Sequence, residues 1–335
     1  MILIDALYIN NSGGKILLDY LIENLECTNL DIIYLFDSRI NYPTSIFKST
    51  NKIYYTKAST LNRLLFYLKH KKMVHKIFCF GNVPPILKIK NVTVYTYFHQ
   101  MLFLKIPENI GIKMKMNLFF KKNFIFFFKN NTNYWLLQSE EMKNLFIKNN
   151  IENYKIKTIP FYKPFKKLNL QKIKNTFLYV SSGETHKNHL NLLNAFSKFY
   201  LKYKIGKLIL TISNDYQNLL SVIQDYKAIG IPIINYTYLN REDLTQIYNS
   251  TEFVIYPSLL ESFGLGLAEA IDTDCKILSS DLNWSKSICI ASDYFNPLSV
   301  ESIENSLIRA VNNNLSPSRL IIKNQIDSLI KNFYE

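Results

Sequence analysis

Residues 252–281 read EFVIYPSLLESFGLGLAEAIDTDCKILSSD. EFVIYP is a short β-branched and aromatic run of the kind buried in a parallel sheet, and Pro257 ends it because proline donates no ladder hydrogen bond. FGLGLAEAI has apolar residues at helical spacing, and KILSSD resumes a strand. The segment therefore predicts a β–loop–α–β unit. A helix start offers unpaired backbone N–H groups and about half a positive charge, which suits a phosphate. Gly264 and Gly266 are expected to remove side chains where a ligand approaches the backbone. Glu269 follows Leu265 and Gly266 by four and three residues, so it shares their face and leans back toward the helix start. Glu261, in the loop before the helix, is placed to reach the opposite end of the same ligand. Hydroxyls, then phosphate, then hydroxyls describe a nucleotide sugar.

Working outward, similar strand runs occur at 1–8, 31–36, 53–56, 76–80, 92–98, 134–138 and 155–159. In the second half they occur at 176–182, 208–213, 231–236, 252–256 and 276–280, with helical patterns such as KNHLNLLNAFSKFYLKY between many of them. Strand–helix alternation on this scale implies α/β architecture with doubly wound parallel sheets. The length of 335 residues suits two domains. The segment 160–175, PFYKPFKKLNLQKIKN, has two prolines and no clear period, and reads as the boundary. The expectation is two Rossmann-like domains facing across a cleft, 1–165 and 166–318, with 319–335 a C-terminal helix packing back on the first. In such sheets, ligands bind just beyond the strands' carboxyl ends.

Composition narrows the class. Cys27, Cys79, Cys275 and Cys289 are scattered with no CxxC pair, which argues against a zinc site or a disulfide framework and fits a reducing cytosol. MILIDALYIN makes a poor signal peptide, and no apolar run approaches the ~18–20 residues of a membrane span. The expected location is cytoplasmic, or peripheral on the inner face of the cytoplasmic membrane. Residues 1–170 hold 25 Lys+Arg against 10 Asp+Glu, a net +15, whereas 171–335 hold 15 against 16. Compositional drift would raise both halves alike, so the first half presents a field suited to an anionic partner.

Other features have plainer readings. DTD at 272–274 imitates a metal-binding Asp-x-Asp but falls at the end of the helix begun by Gly264, and reads as a C-terminal turn. His186 and His189 have no metal-ligand spacing and read as surface or loop residues. MNLFFKKNFIFFFKNN, residues 116–131, interleaves aromatics with lysines; it fits either an interfacial helix or a buried helix with lysines snorkelling outward. No nucleic-acid motif accompanies it, and no nucleic-acid partner is expected.

YPSLLESFGLGLAEA resembles the E-x7-E signature of the retaining family 4 glycosyltransferases of GT-B fold, of the bacterial surface-polysaccharide type. LYINNSGGK is similar to that family's first glycine loop, YTYFHQ to its histidine-bearing loop, LLQSEEMKNLF to its Ser-Glu helix start, and YKIKTIPF to the strand leaving the first domain. FLYVSSGETHKNHLNLLNAF resembles the stretch with the phosphate-binding lysine, and SDLNWSKSICIASDYFNP the closing segment. The resemblance implies that Glu269 binds the ribose hydroxyls. Glu261 and the amides around Phe263, Gly264 and Leu265 hold the transferred sugar. Lys187 binds the diphosphate, Gly13 and Gly14 let the first loop close over donor and acceptor, and His99 contacts the sugar. His99 alone also reads as an ordinary loop residue. The chain departs from the family at Ser182, where an Arg is common, at Gly266, where Pro follows FGL, and at Asp274.

The implied activity is transfer of a sugar from a nucleoside diphosphate, UDP or GDP, to a hydroxyl of a lipid-linked saccharide, without metal or cofactor. An anionic membrane surface is the further partner. A GT-B epimerase or hydrolase, and a non-catalytic partner subunit, are the alternatives.

Overall fold

The computed structural model describes residues 1–107 and 110–335. The chain divides into two units, the first holding Met1–Ile106, Gly111–Lys163 and Lys323–Glu335, the second built on Pro164–Ile322.

In the first unit, β1 (Ile2–Ala6), β2 (Ile32–Asp37), β3 (Lys52–Thr56), β4 (Lys76–Cys79), β5 (Thr93–Phe98), β6 (Tyr134–Leu137) and β7 (Ile156–Thr158) form one parallel sheet in the order 3-2-1-4-5-6-7. Every residue of β1, β2 and β4 is buried. Both faces of these strands are covered, which is why their sequences run apolar without alternation. Strand order reverses between β1 and β4, so the crevice beyond their carboxyl ends is a natural ligand position. The described helices are α1 (Ser12–Leu25), α2 (Thr60–His70), α3 (Ile112–Phe127) and α4 (Glu140–Lys148). Ser59 and Ser139 cap α2 and α4 by accepting from the amides of Asn62 and Met142. Buried Asp5 on β1 pairs with Arg63 at 2.6 Å, and Arg63 also donates to the carbonyls of Val83 and Pro84 at 2.8 Å each. A buried carboxylate is tolerable only with such a partner. The guanidinium thereby fastens α2 to the turn after β4.

In α3 only Leu118 and Ile125 are buried, so the buried-helix reading of this segment fails. Lys129, in the same aromatic and basic run, donates to the carbonyls of Asn149 and Asn150 just beyond α4.

In the second unit, β8 (Ile173–Tyr179), β9 (Lys207–Leu210), β10 (Ile233–Asn235), β11 (Thr251–Tyr256), β12 (Lys276–Ser280) and, after the short β13 (Cys289–Ile290), β14 (Asp293–Phe295) appear in sequence. All but β13 form a parallel sheet in the order 10-9-8-11-12-14. β13 pairs antiparallel with β15 (Arg319–Leu320), a two-residue ladder too short for any sequence period to reveal. The helices are α5 (His189–Tyr203), α6 (Gln217–Ala228), α7 (Arg241–Ser250), α8 (Leu265–Asp272), α9 (Asn283–Lys286) and α10 (Val300–Asn312). Here order reverses between β8 and β11. The segment 160–175 is not slack: Phe165 is buried, its amide donates to Asp272 at 3.0 Å, and Ile173 already lies in β8.

The chain returns to the first unit at Lys323, and α11 (Ile326–Tyr334) lies there. Lys76 donates to the Phe333 carbonyl at 2.8 Å, and Lys157 to the Asn332 side chain at 2.6 Å. Among the described residues no helix is long and apolar enough to cross a membrane.

Candidate active site

β11 and β8 end side by side, with Phe253 opposite Phe177 and Val254 opposite Leu178. The loops leaving them carry most of the second-half candidates. Gly264 is the N-cap of α8 with φ of +64°, and a Cβ there would lie 3.1 Å from Ile288 Cδ1. Glycine alone adopts that conformation without strain. Gly266 has a different cause from the one expected. A Cβ on it would sit 2.9 Å from the Tyr256 ring and 3.1 Å from the Tyr248 hydroxyl, so it makes room for two core tyrosines rather than for a ligand.

Lys187 and Glu261 are 74 residues apart in the chain, yet Lys187 Nζ donates to both Glu261 oxygens at 2.8 and 2.9 Å. Glu261 is 9% exposed and Lys187 15%. Backbone contacts set this meeting: Leu259 N–H donates to the His186 carbonyl at 2.8 Å, and the Tyr179 hydroxyl donates to the Lys187 carbonyl at 2.9 Å. Asn188, in the left-handed region with φ of +62°, donates to the carbonyls of Pro257 and Pro297. Asparagine is among the few residues that accept this conformation. The result is a paired cation and anion near the start of α8, where Leu267 N–H donates to the Gly264 carbonyl at 2.8 Å and the amides of Leu265 and Gly266 have no acceptor within the helix.

Glu269 lies inside α8 and is only 3% exposed. Its Oε1 is 3.4 Å from Arg241 Nη1, and the Arg241 guanidinium stacks 4.2 Å from the Phe165 ring centre. Burial pushes the Glu269 carboxyl up to about 7, with Arg241 opposing the shift. Arg241 escaped the sequence reading because LNREDL looks like any polar helix start. Only the fold brings it to Glu269.

Ser182 donates to the Glu184 carboxylate, so an acid–hydroxyl pair stands where the resemblance implies an arginine. Gly183 is required there, since a Cβ would fall 2.4 Å from Tyr216 Cγ. His189, expected at the surface, is buried; its Nε2 lies 3.0 Å from Ser181 Oγ and 2.9 Å from the Ser182 carbonyl, and burial pushes it down to about 4. It supports the loop after β8. Phe263 is buried and Leu265 half-buried at the helix start.

In the first unit, Gly13 and Gly14 lie in the first turn of α1 rather than in a free loop. A Cβ on Gly13 would meet nothing, whereas one on Gly14 would press to 3.3 Å from His99 Cε1. The His99 ring stacks on Phe80 with centroids 5.3 Å apart, and its Nε2 lies 3.1 Å from the Phe80 carbonyl, which calls for Nε2–H, and 3.3 Å from Asn82 Nδ2, which calls for a lone pair there. Loss of water around the ring pushes its pKa down to about 4. Asn82, with φ of +67°, holds the His99 amide through Oδ1 at 2.6 Å. Asn82 lies three residues beyond the end of β4, within the loop at that strand's carboxyl end.

The carboxylates of DTD serve the fold. Asp272 accepts from the Phe165 amide, and Asp274 pairs with Lys167. Among the described residues no group of three or more His, Cys, Asp or Glu side chains converges as a metal site would need.

Residues 162–327 match the family model described as Glycosyl transferases group 1. No curated protein matches the chain. Among solved structures, the lipopolysaccharide outer core galactosyltransferase WaaB in its apo form superposes with TM-score 0.69 at 14% identity, over 94% of this chain and 91% of that one. Sucrose-phosphate synthase from Thermosynechococcus elongatus gives TM-score 0.73 at 15% identity, over 92% and 88%. Anabaena HepE in complex with UDP and glucose gives 0.67 at 12%, over 93% and 90%. Residues 162–327 thus resemble a glycosyl transferases group 1 domain, and the chain, with its two parallel-sheet Rossmann-like units, has the GT-B fold.

Proposed function

We propose that this enzyme is a retaining family 4 glycosyltransferase that moves a sugar from a nucleoside diphosphate to a hydroxyl of a lipid-linked saccharide. The observation that carries this reading is the Lys187–Glu261 pair at the reversal of strand order, beside the start of α8 and with Glu269 farther along that helix. A diphosphate takes the Lys187 ammonium and the α8 amides, the ribose hydroxyls donate to Glu269, and Glu261, released in part from Lys187, accepts from the sugar hydroxyls. Phe263 and Leu265 contribute backbone, and Ser182 a hydroxyl beside the diphosphate. Solved relatives support UDP as the carrier: HepE is in complex with UDP and glucose, and a TarM mutant in complex with UDP.

In the reaction, the bond from the anomeric carbon to the diphosphate oxygen breaks as the acceptor oxygen bonds to the same face. The acceptor proton passes to the leaving diphosphate. Lys187 and the helix amides stabilise the charge that develops there. These groups supply the positive charge for departure, so no divalent cation or organic cofactor is required. The net +15 of residues 1–170 favours an acceptor at an anionic membrane surface, in building a bacterial lipopolysaccharide or capsule from the cytoplasmic side.

The test is incubation with UDP- and GDP-sugars, with and without saccharide acceptors, with the product's anomeric configuration read by NMR. Inversion of configuration, or turnover of donor that ignores acceptor, refutes the proposal. A second reading, a partner subunit without activity, is favoured by the Ser182–Glu184 pair, which puts an acid beside the diphosphate position. Failure to bind any nucleotide would select it.

A further inference from the structure

Helix α3 leaves a large apolar face in water. Ile112, Met114, Met116, Phe119, Phe120, Phe124 and Phe127 are all exposed, Phe120 at 63% and Phe127 at 79%. At 3.6 residues per turn, Ile112, Met116, Phe119, Phe120 and Phe127 fall together on the side opposite the buried Leu118 and Ile125. Asn123 lies within this side, Lys113 flanks it on one edge and Lys115 and Lys122 on the other, while Lys121 falls toward the buried side, its Nζ 5.8 Å from the centre of the Phe103 ring. No Asp or Glu occurs anywhere between Gly111 and Ser139. Contiguous apolar patches of this kind are rare on monomers and mark a surface meant to be covered.

Charge decides what covers it. A second copy docked on the same face would bring three lysines against three lysines with no acid to answer them. An anionic lipid surface answers all of them, and its acyl boundary accepts the phenylalanines. The helix is about 24 Å long and bears four charges, so it suits lying in the interface plane and not crossing the bilayer.

We propose that α3 is an interfacial anchor. Phe119, Phe120 and Phe127 insert into the outer acyl region of an anionic monolayer, and Lys113, Lys115 and Lys122 rest among the headgroups. This deepens the membrane-acceptor reading above by naming the segment that docks.

The test is co-sedimentation of the full chain with vesicles of phosphatidylcholine, with and without phosphatidylglycerol. Wild-type protein should sediment with the anionic vesicles and be released by salt. Phe119→Ser/Phe120→Ser/Phe127→Ser should lower partitioning at least tenfold while leaving thermal unfolding and UDP affinity unchanged. Lys113→Gln/Lys122→Gln should lower it by about thirtyfold on anionic vesicles, at roughly one surface lysine's worth each, and little on neutral ones. In Phe127→Trp, emission should shift to the blue and be quenched by lipids brominated along the acyl chain. Absence of wild-type binding, wild-type binding by the triple variant, or unchanged Phe127→Trp emission overturns the proposal, as does preference for single-stranded RNA over vesicles. A protein that binds vesicles but no nucleotide keeps the anchor and sinks the transferase reading. One that binds UDP and glycosylates a soluble acceptor but ignores vesicles does the reverse.

Discussion

Lys187→Met removes the cation from a pair in which Glu261 is 9% exposed and both its oxygens are engaged at 2.8 and 2.9 Å. Breaking a fully buried pair costs about 3–5 kcal/mol because the remaining charge has no answer. Lys187 retains 15% exposure, so water partly compensates and we expect about 2–3 kcal/mol. For a unit of this size that lowers the melting temperature by about 5–10 °C, seen by calorimetry. The same substitution removes a charged contact to the diphosphate, about 1.5–3 kcal/mol, or roughly ten- to a hundredfold in Kd for UDP by titration calorimetry. Lys187→Met/Glu261→Gln separates the two roles. It should recover most of the stability, because a neutral amide no longer needs the ammonium, but none of the UDP affinity. If the double variant melts with Lys187→Met, the two groups are not coupled. If Lys187→Met binds UDP as tightly as wild type, Lys187 is not a diphosphate ligand. Either result refutes the reasoning.

Glu269 should give the protein a pH signature. Its folded-state pKa is raised to about 7 from 4.5, so between these values the folded state holds a proton that the unfolded state has lost. Stability therefore falls as pH rises through this window and levels off above it. Glu269→Gln should flatten that slope and melt higher than wild type at pH 8, with the gap closing by pH 5. UDP affinity of the wild type should rise across the same window, as the ionised carboxylate accepts both ribose hydroxyls; a flat profile would remove Glu269 from the ribose site. Gly264→Ala must adopt φ of +64° and should lose about 1–2 kcal/mol of stability together with donor binding; wild-type melting would show that the turn relaxes freely. Transfer should persist in excess EDTA, and loss restored by Mg²⁺ or Mn²⁺ would reopen the role of Asp272 and Asp274.

Much of the fold was legible because its signals are local. Each of the twelve strand runs in the sequence overlaps a strand of the structure, since strands covered on both faces must be almost wholly apolar, as in IIYLFD of β2 or EFVIYP of β11. β13, β14 and β15 were missed because two or three residues carry no period. The α8 start was equally local: a glycine between a strand and a helix pattern needs no partner to be noticed. His189 was misjudged because its burial depends on Ser181 and the Ser182 carbonyl, which no spacing in THKNHL announces.

What the sequence determined by itself was therefore the α/β class, the two similar halves, the order of the strands along the chain and the carboxylates flanking the α8 start. Periodicity, turn chemistry and charge asymmetry act over a few residues and survive without tertiary context. Only the tertiary structure decided which of these residues meet. Lys187 on Glu261 spans 74 residues and Arg241 beside Glu269 spans 28, pairings created by parallel strands whose crossovers bring distant loops to one sheet end. It also decided that Gly266 serves packing and that the phenylalanines of α3 face water. A composition rich in Phe and Lys reads the same whether a helix is buried or exposed, and only the neighbours that surround Leu118 and Ile125, and leave Phe120 and Phe127 bare, tell the two apart.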